Sequence, residues 1–273
     1  MTGKVSVSVI IPVYNSEKYL AETIQSLKNQ YFTDWECVLI NDGSSDKSEI
    51  VALQNIQGDK RFRYIYQENT GVCIARNNAI RSSFGEYILC LDSDDLISEN
   101  FLGETVKILK SNPNIKIVTS IVNYIGKVKG TLNVISYDIA TILEANQIVV
   151  TSLFRRLDFD KVGGFNTNMK EGLEDWDFWI SILKNGGEVR CANNAKFYYR
   201  ILRKSRNTEV NGETIAKLRF QIWQNHKELY CKYFINPVNC FEYTALKQSP
   251  EYKLGYLLLK PIRYVIQKIR FIA

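Results

Sequence analysis

The stretch "EYILCLDSDDLISEN", residues 86–100, decides how the chain is read. Tyr87 to Leu91 form an unbroken apolar run, and Asp92, Asp94 and Asp95 follow at once. A run without polar alternation reads as a strand buried on both faces, the setting of a parallel sheet. The acids then fall at the strand's C-terminal end, where open α/β sheets bind their ligands. Crowded carboxylates repel one another, so the pattern calls for a positive partner that the sequence itself does not supply.

Working outward, "VSVSVII" (5–11), "WECVLI" (35–40) and "FRYIYQ" (62–67) also read as strands, separated by helical patterns near 17–30, 46–56, 72–84 and 98–111. This alternation predicts an α/β fold, a mostly parallel sheet with helices on both faces. In "SSDKSEI", Asp46 with Glu49 three residues later has the form of a capping box for the second helix. Further on, "IKIVTSIV", "IVVTSLF" and "FYYRIL" read as strands, and "NYIGKVKGTLN" as a hairpin or a loop. In "DWDFWISIL", Trp176, Trp179, Ile180 and Leu183 share one buried helix face. The expected division is a main domain over 1–205 and a basic helical extension over 206–273.

With 273 residues, 45% of them hydrophobic and 23% charged, the chain can bury a sizeable core. No apolar stretch approaches the roughly 18 residues of a membrane span, and no signal-peptide plan opens the chain, so the expected location is the cytoplasm. The six cysteines have no CxxC spacing, and Cys37 and Cys90 lie inside apolar runs, which suits small buried hydrophobes. Residues 200–273 hold 14 Lys/Arg against 5 Asp/Glu, so the net charge of +6 belongs to the tail. The remaining body is mildly acidic, which argues against a nucleic-acid groove.

Several chemistries are excluded by what the motifs lack. An EF-hand starting at Asp92 would need an oxygen ligand and a glycine where Leu96 and Ile97 stand. There is no GxxxxGK[ST] loop, no GxGxxG after the first strand and no GxSxG. The single histidine, His226, lies in the polar "WQNHKELY" and reads as a solvated helix residue.

What remains clusters at strand ends. The first strand ends in "PVYN" (12–15) and the second in "NDGSSD" (41–46). Asp42-Gly43 has the form of a simple turn, yet an ionised Asp42 could also accept the imide N–H of a uracil while Tyr14 stacks on the base. Arg76, in "VCIARNNAI", could face a phosphate or a neighbouring carboxylate. The i, i+2 spacing of Asp92 and Asp94 at a strand end aims both at one hard cation or its nucleotide. Asp95 reads also as a turn or cap acid before the helix near 98.

These pieces together resemble the family 2 glycosyltransferases of the GT-A fold. The likeness lies in "SVIIPVYNSEKYLAETIQSLKNQYFTDWECVLINDGSSD", "NTGVCIARNNAI", "GEYILCLDSDD", "VGGFN" and "EDWDFWISI", in that order, and spans residues 4 to 205. The resemblance implies a metal-dependent, inverting transfer of a hexosyl or N-acetylhexosaminyl group from a UDP-sugar. The implied acceptor is a glycan, including a lipid-linked one, as in cell-surface polysaccharide synthesis. It implies that Asp42 binds uracil, that Asp92 lies by the ribose or metal, and that Asp94 is the metal-binding member of the DxD motif. Pro12, Tyr14, Arg76 and Ser93 join the expected nucleotide-binding set, and the implied cofactor is Mn2+ or Mg2+. Asp175 takes the position of the catalytic base, with Asp95, Glu174, Trp176 and Arg203 as secondary candidates. The acids at 174, 175 and 177 would equally suit a helix's first turn. The family often has a histidine in "YRxHxxS"; here "YRILRKS" carries Leu202, so that ligand is missing and Arg203 and Lys204 are the nearby cations. Two other readings stand beside this one: a sugar-1-phosphate nucleotidylyltransferase, whose glycine-rich loop is not seen in "PVYNSEKYL", and a non-catalytic nucleotide-sugar or glycan-binding module.

In "EYKLGYLLLKPIRYVIQKIRFIA", apolar residues at helical spacing alternate with Lys253, Lys260, Arg263, Lys268 and Arg270. That pattern suits an interfacial helix on an anionic membrane, a peripheral contact through 252–273. A core-packing or dimerising helix has the same pattern.

Overall fold

The computed structural model describes residues 5–132, 139–202, 212–233 and 246–270, with 262–270 as backbone only. Strands β1 (Val7–Val13), β2 (Trp35–Asp42), β3 (Phe62–Gln67) and β4 (Tyr87–Cys90) form a parallel block in the order β3-β2-β1-β4. The sheet continues through β8 (Leu153–Arg155), β6 (Ile115–Gly126), β9 (Glu188–Ile201) and β5 (Leu96–Ile97), and β7 (Gly130–Leu132) pairs with β6 as a hairpin. This second half is mixed: β8 runs antiparallel to β4 and β6, whereas β9 runs parallel to β6.

The apolar runs are buried on both faces, as a central parallel strand requires. Val9, Ile11, Leu39 and Leu89 pack under α1 (Leu20–Lys28) and α4 (Phe101–Ser111). Their neighbours Ile10, Val38, Ile40, Ile88 and Cys90 pack against α3 (Val72–Ser82) and α7 (Glu174–Leu183) on the other face, because successive side chains of a strand alternate. Cys37, Cys73 and Cys90 are buried. Helices α2 (Ser48–Ile56), α5 (Ile139–Glu144) and α6 (Arg156–Val162) complete the layers. The chain then continues into α8 (Gly212–Asn225), α9 (Lys227–Tyr233) and α10 (Pro250–Arg270). Leu218 and Ile222 of α8 are buried in the same apolar cluster as α3 and α7.

Three local expectations are corrected. Asp46 does not form a box with Glu49: its Oδ1 accepts the Ser48 N–H at 2.9 Å and its Oδ2 the Glu17 N–H at 3.0 Å. Glu17 in turn accepts the Lys47 N–H at 2.9 Å, so the reciprocal partner comes from the β1–α1 loop. Of the two readings of Asp95 the turn holds and the cap does not: its N–H donates to the Asp92 carbonyl at 3.2 Å, Asn100 precedes α4, and Asp95 lies 1% exposed. His226 is not solvated: it is 8% exposed, with Nε2 at 3.0 Å from Asp177 Oδ1, because the long-range partner on α7 outweighs its polar sequence neighbours. Trp176, Trp179, Ile180 and Leu183 are buried as expected, and Phe178 and Ile182 join them, so α7 is buried nearly all round, Glu174 and Asp177 included.

Candidate active site

The site lies at the C-terminal edge of the parallel block. Asp42 closes β2, and Gly43 follows with φ 71°, where an added Cβ would stand 2.8 Å from the Asn69 nitrogen. The turn at 42–43 therefore exists, and it also turns Asp42 toward the 67–71 loop. Oδ1 of Asp42 accepts from Gln67 Nε2 at 2.7 Å and from the Thr70 N–H at 2.9 Å, while Oδ2 accepts the Gly71 N–H at 2.9 Å.

Beyond β4 the chain leaves the extended conformation, and residues 92–95 form a turn rather than continuing the pleat. Alternation therefore does not aim Asp92 and Asp94, as the sequence reading had it; a turn does. The turn is pinned from three sides. Ser93 meets the Ser16 hydroxyl at 2.6 Å, and its carbonyl accepts from Thr23 Oγ1 at 3.0 Å. Arg200 of β9 donates from Nε to the Asp94 carbonyl at 2.7 Å and from its backbone N–H to Asp95 Oδ1 at 2.7 Å. The same guanidinium reaches Glu22 at 2.8 Å and lies over the Tyr19 ring.

Two cavities adjoin here. The larger, about 730 Å³, is lined by Pro12, Tyr14, Asp42, Arg76, Asp92, Ser93 and Asp94, and also by Lys170, Tyr199, Arg200 and Leu202. The smaller, about 270 Å³, is lined by Asp95, Asn146, Glu174, Asp175 and Phe197, and shares Arg76, Asp92 and Tyr199 with the first. Arg76, 1% exposed, forms their common wall. It donates to Asp92 Oδ1 at 2.7 Å and to Glu174 Oε1 at 2.9 Å, so it faces carboxylates rather than open solvent. Burial opposes its charge, but Asp92 and Glu174 outweigh that and hold it protonated.

The acids themselves are under strain of charge. Burial, and then the neighbouring Asp92, push the Asp94 carboxyl up to about 6. Asp95 is raised well above the usual carboxylate range by burial and by Asp94, and its Oδ2 finds no hydrogen-bond partner among the described residues. Asp175 is half-buried; Oδ1 accepts the Trp176 N–H at 2.8 Å and Oδ2 accepts from Asn146 at 3.1 Å. Burial and Glu174 push its carboxyl up to about 6 against the pull of Arg76. Trp176 points away from the cavities, its Nε1 donating to the Ile142 carbonyl at 2.5 Å.

Among the described residues no cluster of three or more His, Cys, Asp or Glu side chains forms a ready cage for a metal. The donors present nevertheless suit a hard divalent ion. They are carboxylate oxygens, Asp94 is poorly compensated, and magnesium or manganese usually takes only one or two protein carboxylates beside phosphate oxygens. Arg203 lies outside the described residues. Arg200, Asn146, Lys170 and Tyr199 line the cavities without having been singled out in the sequence; Arg200 stands in "YRILRKS", two residues before the Leu202 that drew notice.

The sheet and its layers are GT-A-like. Residues 8–175 match the family described as glycosyl transferase family 2, and the chain belongs to that family. A putative glycosyltransferase EpsH of Bacillus subtilis is 32% identical over 165 residues, covering 60% of this chain and 46% of that protein. An uncharacterized glycosyltransferase of Haemophilus influenzae is 32% identical over 185 residues, covering 65% and 72%. One of Rickettsia bellii, 36% identical over 182 residues, matches 64% of this chain but only 26% of its own length, so the chain spans a minor part of some relatives. Among solved structures, S. aureus TarS 1-349 in complex with UDP aligns with TM-score 0.68 at 19% identity, over 92% of this chain and 78% of that one. The mannosyltransferase PcManGT from Pyrobaculum calidifontis, in complex with GDP-Man and Mn2+, aligns with TM-score 0.61 at 16% identity, over 98% and 89%. At such identities the likeness concerns the fold.

Proposed function

We propose that residues 1–205 form the catalytic domain of a metal-dependent inverting glycosyltransferase that moves a sugar from a UDP-sugar to a hydroxyl of a glycan acceptor. One observation carries the reading: Arg76 ties Asp92 in the larger cavity to Glu174 in the smaller, so the two form one cleft running from Asp42 to Asp175. In it Tyr14 and Pro12 flank the base, Asp42 accepts from it, and Asp92, Ser93 and Lys170 line the ribose and diphosphate stretch. Asp94 would hold the divalent ion, Mn2+ or Mg2+, with Asp95 as its neighbour in the turn. When bound with the diphosphate, the ion supplies Lewis-acid stabilisation of the leaving group. Asp175 takes the proton of the acceptor hydroxyl as that oxygen attacks the anomeric carbon from the face opposite UDP. Its carboxyl near 6 is ionised at neutral pH yet basic enough to accept that proton. Glu174 keeps Arg76 in place and adds to the basicity of Asp175. That the relatives named above are glycosyltransferases, and that TarS is solved in complex with UDP, supports the donor class.

The extension over 206–273 adds a membrane contact to this reading. No helix among the described residues is long and apolar enough to cross a bilayer. Leu254, Leu257 and Leu258 of α10 are nonetheless exposed beside Lys253 and Lys260, which favours peripheral attachment to an anionic cytoplasmic leaflet carrying a lipid-linked acceptor.

The test is nucleotide release from a panel of nucleotide sugars and acceptors with Mn2+, run beside Asp175→Asn. The expected result is UDP release that falls at least about 100-fold in the variant while UDP still binds. A variant as fast as the parent removes Asp175 from the role of base. Release of pyrophosphate would favour a nucleotidylyltransferase, and binding without turnover a non-catalytic module.

A further inference from the structure

Helix α7 carries acids on two sides of its first turn. Asp175 faces the cavity, whereas Asp177, two residues on and about 200° round the helix, points away from it. The Asp177 side chain is 2% exposed, an expensive place for a carboxylate unless hydrogen bonds compensate it. Two of those bonds come from the junction of α8 and α9. Asn225 Nδ2 donates to Asp177 Oδ1 at 2.7 Å, and His226 Nε2 lies 3.0 Å from the same oxygen, so with an anionic acceptor Nε2 carries the proton. Asn225 also exchanges bonds with Asn168 at 2.9 and 3.2 Å, on the loop that leads into α7. Nearby, Arg219 of α8 lies over the Trp176 ring and donates to the Glu144 carbonyl at 2.9 Å. The extension therefore grips both the first turn of α7 and the loop before it, through an acid three residues on from Glu174.

We propose that Asn225 and His226 are positioning residues for sugar transfer: by holding Asp177 they fix the first turn of α7, so that Asp175 keeps its aim into the cleft. The proposal rests on the reading of Asp175 as base. It assigns the extension a share in the chemistry besides any part in attachment. A helix turn released from this clamp can shift Asp175 by a fraction of an ångström to an ångström, and misplacement of that order costs about 10- to 100-fold in rate.

The test is steady-state transfer, nucleotide affinity by calorimetry and amide hydrogen exchange on the full chain, for the parent, His226→Ala and His226→Gln, with Asp175→Asn alongside. Glutamine can present an amide N–H near the place of Nε2. Expected for His226→Ala is a kcat about 10-fold lower or more, UDP affinity within about twofold of the parent, faster exchange at residues 174–178 but not in β1 and β2, and recovery in His226→Gln. A parental kcat in His226→Ala overturns the proposal. So does an equal loss of kcat and UDP affinity that glutamine does not restore, since that is general loosening. If His226→Ala does not fold, Asn225→Ala, which removes the 2.7 Å bond with less loss of packing, is judged by the same outcomes. Full activity in Asp175→Asn sinks the underlying assignment of the base, whereas an inactive Asp175→Asn beside a fully active His226→Ala sinks the clamp alone.

Discussion

Replacing Arg76 by methionine keeps most of the side-chain volume and removes the charge that joins the two cavities. The guanidinium is 1% exposed; its partners differ, Glu174 being 4% and Asp92 33% exposed at the side chain. Removing one partner of a buried ion pair costs about 3–5 kcal/mol, because the other charge is left uncompensated. The Asp92 bond is partly screened by solvent and adds little, so the Glu174 bond sets the scale and about 3 kcal/mol is expected. The loss depends on pH with a definite sign. Two carboxylates without their cation bind protons more readily in the folded chain than in the unfolded one, so the variant's deficit narrows as pH falls. Urea unfolding of both proteins at about pH 7.5 and about pH 5 measures both quantities. A deficit below about 1 kcal/mol, or one equal at the two pH values, would refute the view that Arg76 is a buried electrostatic tie.

Two further outcomes follow from the charges in the cleft. With Asp175 near 6, kcat/KM should decline as pH falls through about 6, because the protonated carboxyl cannot accept a proton; a profile level down to about pH 5 would exclude Asp175 as base. Leu202 lines the larger cavity with Asp94, so Leu202→His should tighten Mn2+ binding without nucleotide by about 10-fold above the histidine's own titration, read by calorimetry; unchanged affinity would mean that residue 202 lies out of coordinating reach.

Legibility in the sequence followed the range of the forces involved. Strands β1 to β4 and helices α1 to α4 could be read because each is set by local periodicity: Tyr87 to Leu91 need no knowledge of their partners to be an apolar run. The cleft was readable to the extent that it sits at the ends of those strands, which is why Pro12, Tyr14, Asp42, Arg76, Asp92, Ser93 and Asp94 all line one cavity. What failed were choices between local and distant partners. Asp46 had a plausible partner three residues away, but Glu17 competes for the same helix end from across the β1–α1 loop. His226 has polar neighbours in sequence and a buried carboxylate 49 positions away. Arg200 holds the acidic turn across a separation of 106 residues, and no pattern within "YRILRKS" encodes that.

The electrostatics of the cleft bear on how donor and ion would bind. Asp92, Asp94, Asp95, Glu174 and Asp175 line the paired cavities, with Arg76 and Arg200 the cations that lower the cost of ionising them. Even so, Asp94 and Asp95 are held above the ordinary carboxylate range. The free protein thus raises the proton affinity of its carboxyls where a cation is wanted. On the proposed reading a divalent ion would offset the crowded charge but would gain few protein ligands, while a diphosphate alone would meet a wall of carboxylates. Each ligand therefore removes the obstacle to the other. Their binding should be cooperative because Asp94 sits beside Asp92 in a desolvated turn, and the apolar Leu202 leaves phosphate oxygens to complete the coordination.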